Sequence, residues 1–302
     1  MAVSRLDLDG KGAGSPEGLV TLILRAEPNL AAPVPIDRLC NSLDIEEIRD
    51  LDIEGFEGGL ITDTERSRGV ILVRKGHPFR MRFTIGHELG HFLIPTHMPD
   101  TPGRFLCSRE DMRILSAAES NRRARMEVDA NKFSSLILIP PPLLRPRLKT
   151  RRDPDLRHMA QLADEFEVSK QAMARAYAMY HEQILAIVFT KAGRVLFAYK
   201  HFKFPFIVVP NGQEVPQNSL LKRKGARQGV ASDICECIPD IWIDVVRGRP
   251  APALYEQVLG QRDEFAIVML WLEPPEDDEE EDRDDERTSK ERYRARVRSG
   301  VV

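Results

Sequence analysis

The chain has 302 residues, of which 42% are hydrophobic and 30% charged, and its formal net charge is −3. This length and composition are typical of a globular protein that buries a core in one to three domains. No apolar stretch approaches the roughly 20 residues of a membrane helix, and the first residues show no signal-peptide segment. Four cysteines without a C-x-x-C pair argue against a disulfide framework and exclude a zinc ribbon. We therefore expect a cytoplasmic protein with no membrane partner.

Charge is unevenly distributed along the chain. From Glu276 onward there are 11 acids and 7 bases, whereas the rest of the chain holds 36 acids and 37 bases. A nearly neutral body gives no sign of nucleic-acid binding, so such a function would need a local basic patch. Residues 275–302 contain almost no apolar side chains, and we predict a disordered charged tail there.

The first 94 residues predict two helices, a small sheet and a third helix. Helices are expected over about 16–27 and at Ile36–Ser42. The β-branched run at 69–76, bounded by glycines, is typical of a strand in a small sheet over about 46–75. The apolar segment 79–94 predicts a buried helix that follows Pro78 and ends at Pro95.

A domain boundary is expected after the next helix. Residues 95–110 are predicted to form a proline-containing loop, and residues 120–138 a second buried helix. The run Pro140-Pro141-Pro142 ends that helix, because proline lacks the backbone donor that a helix interior needs. We place the end of a first domain, residues 15–142, at this run.

The predicted helix at 79–94 contains the motif His87-Glu88-Leu89-Gly90-His91, which is H-E-x-x-H. His87 and His91 lie on one helix face, so both imidazoles can bind one ion, and imidazole nitrogen suits zinc. Glu88 lies about 100 degrees round the helix from His87, where it can hold a water molecule without binding the metal. Chance predicts fewer than about 0.025 such motifs in this composition. The alternative is a buried helix whose histidines only make hydrogen bonds in the core.

A catalytic zinc site needs a third protein ligand and an open coordination position. No histidine follows His91 at metzincin spacing, and His97 comes too soon after a helix-breaking proline. A carboxylate of the second helix is the other source: Glu127 is the best candidate, and Asp129 competes if the helix phase differs. Both could instead be solvated helix charges. Asn131, one turn after Glu127, could orient a ligand histidine by accepting a hydrogen bond from its free nitrogen.

These two segments carry a family resemblance. FRMRFTIGHELGHFLIP and EVDANKFSSLILIP resemble the motifs of the ImmA/IrrE family of zinc metallopeptidases, over about residues 15–145. The matching residues are Arg82, Phe83, Thr84, His87, Glu88, Gly90, His91, Glu127, Ala130, Asn131, Phe133, Leu136 and Pro140. Ser134, where alanine is usual, and the run 137–139 are mild departures.

The resemblance implies a fold, a site and an activity. It implies a zincin-like domain with His87, His91 and Glu127 as metal ligands and Glu88 as the catalytic base. It also implies an endopeptidase that cleaves a helix-turn-helix repressor and so derepresses stress or mobile-element genes.

Four more polar residues lie near the motif. Cys107 occurs where some members of the family carry a cysteine; it could be a redox-sensitive gate or an inhibitory ligand, but we favour a packed structural cysteine. The residue that stabilises the oxyanion is not identified. His77, His97 and Arg82 are the nearby candidates, and each is more often structural.

Residues 150–182 resemble the helix-turn-helix segment that follows the peptidase domain in many family members. Helices are predicted at 156–166 and 170–180, with Ser169 as the N-cap of the second. The inward positions are Leu156, Met159, Leu162, Ala163, Val168 and Met173. Lys170, Arg175 and the bases Arg145, Arg147, Lys149, Arg151 and Arg152 could contact DNA phosphates. We favour a structural or protein-binding role for this segment.

Residues 183–274 predict a β-rich domain for sensing or dimerisation. The strand candidates are 184–190, 194–200, 204–210, 234–245 and 264–273, and the first two form a hairpin. Cys235 and Cys237 would share one strand face, and we favour two ordinary half-buried thiols over a metal or redox pair.

The sequence thus predicts an α+β protein with a zincin-like metallopeptidase domain, a helix-turn-helix-like segment and a C-terminal β-rich domain. We expect a zinc metalloendopeptidase with a protein substrate, Zn²⁺ as its cofactor, Mn²⁺ as the alternative metal and no other cofactor. One rival is a DNA-binding transcription regulator with a structural zinc site, and another is a non-catalytic partner that sequesters a repressor. Glu88 favours the enzyme, because a structural zinc site does not need it.

Overall fold

The structure, a computed structural model, describes residues 14–99, 101–114, 116–151, 153–245 and 251–273. It has the mixed α+β architecture that the sequence predicts, and its strands form two sheets. The predicted charged tail at 275–302 lies outside the described residues. Within them, no helix has the length and apolarity needed to cross a membrane.

The described elements follow one another in this order. The N-terminal half contains α1 (Pro16–Ala26), α2 (Ile36–Ser42), β1 (Ile45–Asp50), β2 (Phe56–Thr62), β3 (Gly69–Val73), α3 (Pro78–Leu93), β4 (Arg104–Ser108), a short 3-10 helix (Asp111–Arg113) and α4 (Arg122–Leu138). The C-terminal half contains α5 (Pro141–Leu148), α6 (Leu156–Glu165), α7 (Lys170–Tyr180), β5 (Ile184–Lys191), β6 (Arg194–Lys200), α8 (Leu220–Lys224), β7 (Cys235–Cys237), a 3-10 helix (Pro239–Ile241), β8 (Ala253–Gly260) and β9 (Phe265–Glu273).

The contacts within the chain divide it into two compact units. The first comprises Met1–Pro146 and Leu162–Ala172, and the second Arg147–Gln161 and Met173–Val302. The domain limits drawn from the sequence stay predictions.

The sheet of the first unit has the strand order β1-β3-β2-β4. Strand β1 runs parallel to β3, and the other neighbours are antiparallel. The expectation of a loop throughout 95–110 is wrong, because Arg104–Ser108 pairs with β2 as the edge strand β4, with Cys107 opposite Gly58. This pairing joins residues about 50 positions apart, and the short run shows no local strand signal.

Helices α3 and α4 begin where the sequence predicts. The His77 side chain accepts a hydrogen bond from the backbone N–H of Phe79 at the start of α3. Asn121 likewise accepts from the backbone N–H of Ala124 at the start of α4. Each side chain satisfies a backbone donor that the first turn leaves without a helical partner.

Small residues allow α3 and α4 to approach closely. A Cβ atom at Gly86 would lie 2.7 Å from Ser134 Oγ, and one at Gly90 would lie 3.2 Å from the Phe133 ring and 3.3 Å from Ala130 Cα. Only glycine fits such an approach without displacing the neighbouring helix. The H-E-x-x-H motif of α3 therefore lies directly against α4, the helix that carries Glu127.

The triple proline does not interrupt helical structure for long. Helix α4 ends at Leu138 as predicted, but Pro141 opens α5. Proline is tolerated in the first turn of a helix, because the N–H that it lacks would have no intrahelical partner there.

The sheet of the second unit has the strand order β6-β5-β9-β8-β7. The predicted hairpin is confirmed as β5 and β6, and the prediction at 264–273 as β9. The prediction at 204–210 is wrong, because only Ile207 makes an isolated bridge there and prolines 205 and 210 cannot donate to a ladder. Within 234–245 only Cys235–Cys237 is a strand, and β8 at 253–260 was not predicted.

Candidate metal centre

His87, His91 and Glu127 converge where α3 and α4 meet. The Nε2 atoms of the two histidines are 3.1 Å apart, and Glu127 Oε2 lies 3.2 Å from His87 Nε2 and 3.4 Å from His91 Nε2. Ligands at about 2.0–2.1 Å from a tetrahedral zinc ion are separated by about 3.3–3.4 Å. The three atoms therefore have the spacing of ligands to one cation.

Burial and hydrogen bonding support the same interpretation. All three side chains are buried, and Glu127 Oε2 has no hydrogen-bond partner among the described residues. A buried carboxylate oxygen without a hydrogen bond is costly, and a divalent cation would compensate for that cost. The donor set of two imidazoles and one carboxylate fits zinc, and the site fits a metal.

Asn131 lies within hydrogen-bond distance of His87. Its amide nitrogen donates to the backbone carbonyls of Asp111, at 3.1 Å, and Ile114, at 3.0 Å, so its oxygen is left as the acceptor. That oxygen lies 2.9 Å from His87 Nδ1, which must therefore carry the proton. The Nε2 lone pair of His87 is then available to a metal.

His91 is positioned by two residues whose contribution the sequence did not show. Its ring stacks on Phe105 of β4 with the ring centroids 4.9 Å apart, and its Nδ1 lies 3.0 Å from His97 Nδ1. Burial, together with the nearby His91 and Arg66, lowers the pKa of His97 to about 2. His97 is therefore neutral and can accept a proton from His91 Nδ1; in that tautomer His91 Nε2 keeps a lone pair for a metal.

The charge states of Glu127 and His91 suit a cation, whereas His87 has to lose a proton to bind one. Burial by itself would raise the pKa of Glu127, but the adjoining imidazoles of His87 and His91 hold it well below its ordinary value. Burial lowers the pKa of His91 and favours the neutral ring that a metal requires. For His87 the carboxylates of Glu127 and Glu88 outweigh burial and raise its pKa.

Glu88 lies beside this cluster, where the Cys107 thiol is a weak donor to its carboxyl group. Both carboxylate oxygens are buried and without a hydrogen-bond partner of ordinary geometry among the described residues. Burial raises the pKa of Glu88 to about 7. Its Oε1 lies against β2, where a Cβ at Gly58 would approach it to 2.5 Å. A carboxyl group with a pKa near neutrality can take up and release a proton, as a general base must.

Cys107 is closer to the cluster than the sequence suggested. Its thiol and the ligand atoms of His87, His91 and Glu127 all lie within 4.8 Å of one another. Cys107 is 1% exposed, and burial together with the nearby Glu88 carboxylate raises its pKa well above the ordinary value. The alternation of Phe105 and Cys107 along β4 is the one sequence signal that both side chains face α3.

The remaining candidates lie outside the cluster. Asp129 is 43% exposed, and its nearest approach is an Oδ2 atom 4.0 Å from His97 Nε2. Arg82 donates to the Val34 carbonyl at 2.8 Å and pairs with Glu167 at 3.3 Å. His77 caps α3. Arg82 and His77 thus have structural partners, and no described residue is assigned to the oxyanion.

Helices α6 and α7 have the limits that the sequence predicts. Ser169 accepts a hydrogen bond from the backbone N–H of Ala172 and caps α7, and the six predicted inward residues are buried. Two of the bases before α6 have acidic partners: Lys149 lies 3.1 Å from Glu182, and Arg151 lies 3.8 Å from Asp155. DNA contact by this segment stays a prediction.

Comparisons with known proteins show a family match over part of the chain. Residues 44–177 match the model of Peptidase_M78, described as the IrrE N-terminal-like domain. Curated proteins give no match to the chain. A solved structure of a Mycobacterium tuberculosis transcriptional regulator is similar, with a TM-score of 0.51 and 14% identity, over 88% of this chain and 79% of that chain. At this identity the likeness shows the fold alone.

The family model spans the metal cluster as well as α6 and most of α7. The chain thus carries an IrrE N-terminal-like domain of the Peptidase_M78 family at residues 44–177, which confirms the resemblance in its two motifs.

Proposed function

We propose that the protein is a metal-dependent endopeptidase whose metal is held by His87, His91 and Glu127. The observation that carries this proposal is the buried triangle of ligand atoms with edges of 3.1–3.4 Å, next to the unsatisfied carboxyl group of Glu88. Zn²⁺ is the metal proposed, and Mn²⁺ is the alternative. The Peptidase_M78 match supports peptidase chemistry.

The side chains of this site would divide the work of peptide hydrolysis. A bound divalent cation would supply Lewis-acid polarisation of the scissile carbonyl and would lower the pKa of a water molecule. Glu88 accepts the proton of the attacking water and later delivers it to the leaving amine. Asn131 and His97 hold the two imidazoles in the tautomer that binds metal.

The proposed substrate is a helix-turn-helix transcriptional repressor, whose cleavage would derepress stress or mobile-element genes. This part of the proposal is supported by the family resemblance of the two motifs and by the match to the IrrE N-terminal-like domain. The cytoplasm is the location in which such a substrate occurs.

The test compares three proteins in two measurements. Metal content is measured for the wild type, Glu88→Gln and His87→Ala by plasma mass spectrometry. Each is then incubated with a repressor encoded beside the gene, and the products are examined by intact-mass spectrometry. We expect one metal ion and a single cleavage with the wild type. Glu88→Gln should keep the metal and lose cleavage, and His87→Ala should lose both.

Two results would contradict the proposal. Cleavage at the wild-type rate by Glu88→Gln would exclude the assigned base. Metal retained by His87→Ala at wild-type affinity would exclude the assigned ligand. Repressor binding without truncation in the presence of added zinc or manganese would support the sequestering partner instead.

A second candidate is a DNA-binding regulator with a structural metal site. The α6–α7 pair with its Ser169 cap favours it, and the similar solved structure is that of a transcriptional regulator. This candidate predicts stoichiometric, salt-dependent promoter binding that Glu88→Gln leaves unchanged and that the double substitution Arg151→Ala and Arg152→Ala abolishes.

A further inference from the structure

Strand β4 directs Cys107 toward the metal cluster. Its backbone is fixed by antiparallel pairing with β2, in which Cys107 lies opposite Gly58. Side chains two residues apart on a strand share one face, and Phe105, two residues before Cys107, stacks on the ring of His91. The thiol of Cys107 therefore faces the same helix surface as the imidazoles of α3.

The distances and chemistry place the thiol within reach of the same cation. Sulfur and nitrogen ligands of one zinc ion lie about 3.5 Å apart, and the thiol lies within 4.8 Å of all three predicted ligand atoms. A shift of roughly 1 Å would bring it to ligand distance. The buried Glu127 oxygen without a hydrogen bond independently indicates a cation at this point. Thiolate is a preferred zinc ligand.

We propose that Cys107 is the fourth protein ligand of this metal and closes its coordination sphere in the form described here. The proposal rests on the metal site of the proposed function. Four protein ligands are typical of structural zinc sites, whereas catalysis needs one open position. The closed form is therefore a resting state, which opens when binding of the protein substrate displaces the Cys107 side chain from the metal, so the wild type can still cleave its substrate. On ligation the S–H bond of Cys107 breaks, sulfur binds the metal, and the adjoining Glu88 carboxylate accepts the proton.

Another buried cysteine shows that burial is not the reason for this assignment. Cys40 of α2 is 0% exposed but does not belong to the cluster of ligand atoms. Cys107→Ala and Cys40→Ala therefore form a matched pair, since each removes one buried sulfur atom from the first unit. Only the former should change the metal.

The experiment is X-ray absorption spectroscopy at the zinc edge on the full chain. The wild type and Cys40→Ala should show one sulfur neighbour at about 2.3 Å and nitrogen or oxygen neighbours at about 2.0–2.1 Å. Cys107→Ala should keep one zinc per chain and lose the sulfur neighbour. In cobalt-substituted protein, the thiolate-to-metal charge-transfer absorption should be lost in the same variant.

Closure of the site is tested with acetohydroxamate as a chelating probe. Cobalt-loaded Cys107→Ala should change its visible spectrum when the probe binds, whereas the wild type and Cys40→Ala should not. An equal response of the wild type would overturn the closed state.

The outcomes separate this proposal from the one on which it rests. One zinc per wild-type chain with no sulfur neighbour overturns ligation by Cys107 and leaves the metal site intact. A sulfur neighbour that persists in Cys107→Ala also overturns it. Wild type that binds no metal overturns both proposals. Because the wild-type spectrum needs no substitution, the proposal stays testable even if Cys107→Ala fails to fold.

Discussion

Two glutamates, one in each unit, are fully buried, yet among the described residues only one of them accepts hydrogen bonds from nitrogen donors. Glu256 of the second unit accepts from Trp242 Nε1 and from the backbone N–H of Leu220, so both of its oxygens are used. Glu88 of the first unit has no partner of ordinary hydrogen-bond geometry among the described residues. Burial raises the pKa of both carboxyl groups. The same residue type at the same depth therefore occupies two different kinds of site.

The difference distinguishes a structural group from a reactive one. Gln257, next to Glu256, accepts from the backbone N–H of Leu156 and donates to Asp155 and to the carbonyl of Ser232. Buried polar groups that stabilise a fold are satisfied in this way, because an unmet hydrogen bond is costly. Buried groups without partners cluster where a protein binds an ion or performs chemistry. Among the described residues, four of the seven such atoms belong to Glu88, Glu127 and His97 at the metal cluster.

The largest expected effect is a loss of folding stability on substitution of Glu256, the glutamate whose hydrogen bonds are satisfied. Glu256→Ala leaves the N–H groups of Trp242 and Leu220 buried without an acceptor, at about 1–3 kcal/mol each. The free energy of unfolding should fall by about 2–5 kcal/mol in urea titrations followed by tryptophan fluorescence. Both tryptophans, Trp242 and Trp271, belong to the second unit and so report its unfolding. Metal content should not change; a loss below about 1 kcal/mol would contradict the assignment of Glu256 as structural.

A second substitution, at Gly58, would place an extra carbon atom against Glu88. In Gly58→Ala the new Cβ would lie 2.5 Å from both Glu88 Oε1 and Thr84 Cγ2. Overpacking of this kind costs about 1–3 kcal/mol, and it displaces Glu88 from its position, so cleavage should fall while metal binding is kept. Gly76→Ala is the matched control, because no atom lies within 4 Å of its added Cβ. Equal cleavage rates for the two variants would show that Gly58 does not set the position of Glu88.

The third prediction concerns the orientation of a ligand rather than its identity. Asn131→Ala removes the acceptor 2.9 Å from His87 Nδ1, and metal affinity should fall about 10–100-fold in competition with a chromophoric chelator. Ser134→Ala is the control on the same helix, since its hydroxyl donates to the Phe83 carbonyl and contacts no predicted ligand. Equal metal affinities for the two variants would show that Asn131 does not contribute to metal binding.

The convergence of the helical residues could be predicted from the sequence, because it depends on local spacing. His87 and His91 follow from a four-residue interval on one helix, and Asn131 from a four-residue interval after Glu127. Helical periodicity alone did not decide whether Glu127 or Asp129 is the third ligand, and the family motif favoured Glu127. In the structure Glu127 lies beside both histidines, whereas Asp129 is partly exposed.

The part of the site that lies on a strand could not be predicted in this way. The positions of Phe105 and Cys107 depend on the pairing of β4 with β2, which joins segments about 50 residues apart. The same limit explains the unpredicted β8 and the error at 204–210, since strand pairing, unlike a helical repeat, is not contained in a short run of residues. Ser134, a departure from the family motif, is accommodated by its hydrogen bond to Phe83.

The smallest expected effect is a gain in folding stability on substitution of Glu88, opposite in sign to the loss expected for Glu256→Ala. In the metal-free protein, the pKa of Glu88 is raised from 4.5 to about 7 by burial. Well below pH 4.5 this carboxyl is protonated in both states, but between pH 4.5 and about 7 the unfolded chain releases the proton while the folded chain keeps it. Stability from this group is therefore present at low pH and lost as the pH rises.

Glu88→Gln should remove that loss. At pH 8 the shift corresponds to at most about 3 kcal/mol, and the buried amide without a partner cancels part of the gain. We expect metal-free Glu88→Gln to be more stable than the wild type by about 1–2 kcal/mol at pH 8, with little difference at pH 5, in denaturant titrations followed by circular dichroism. A gain that does not depend on pH would exclude ionisation as its cause. A loss at pH 8, like that expected of Glu256→Ala, would mean that Glu88 stabilises the fold and that the distinction between the two buried glutamates does not hold.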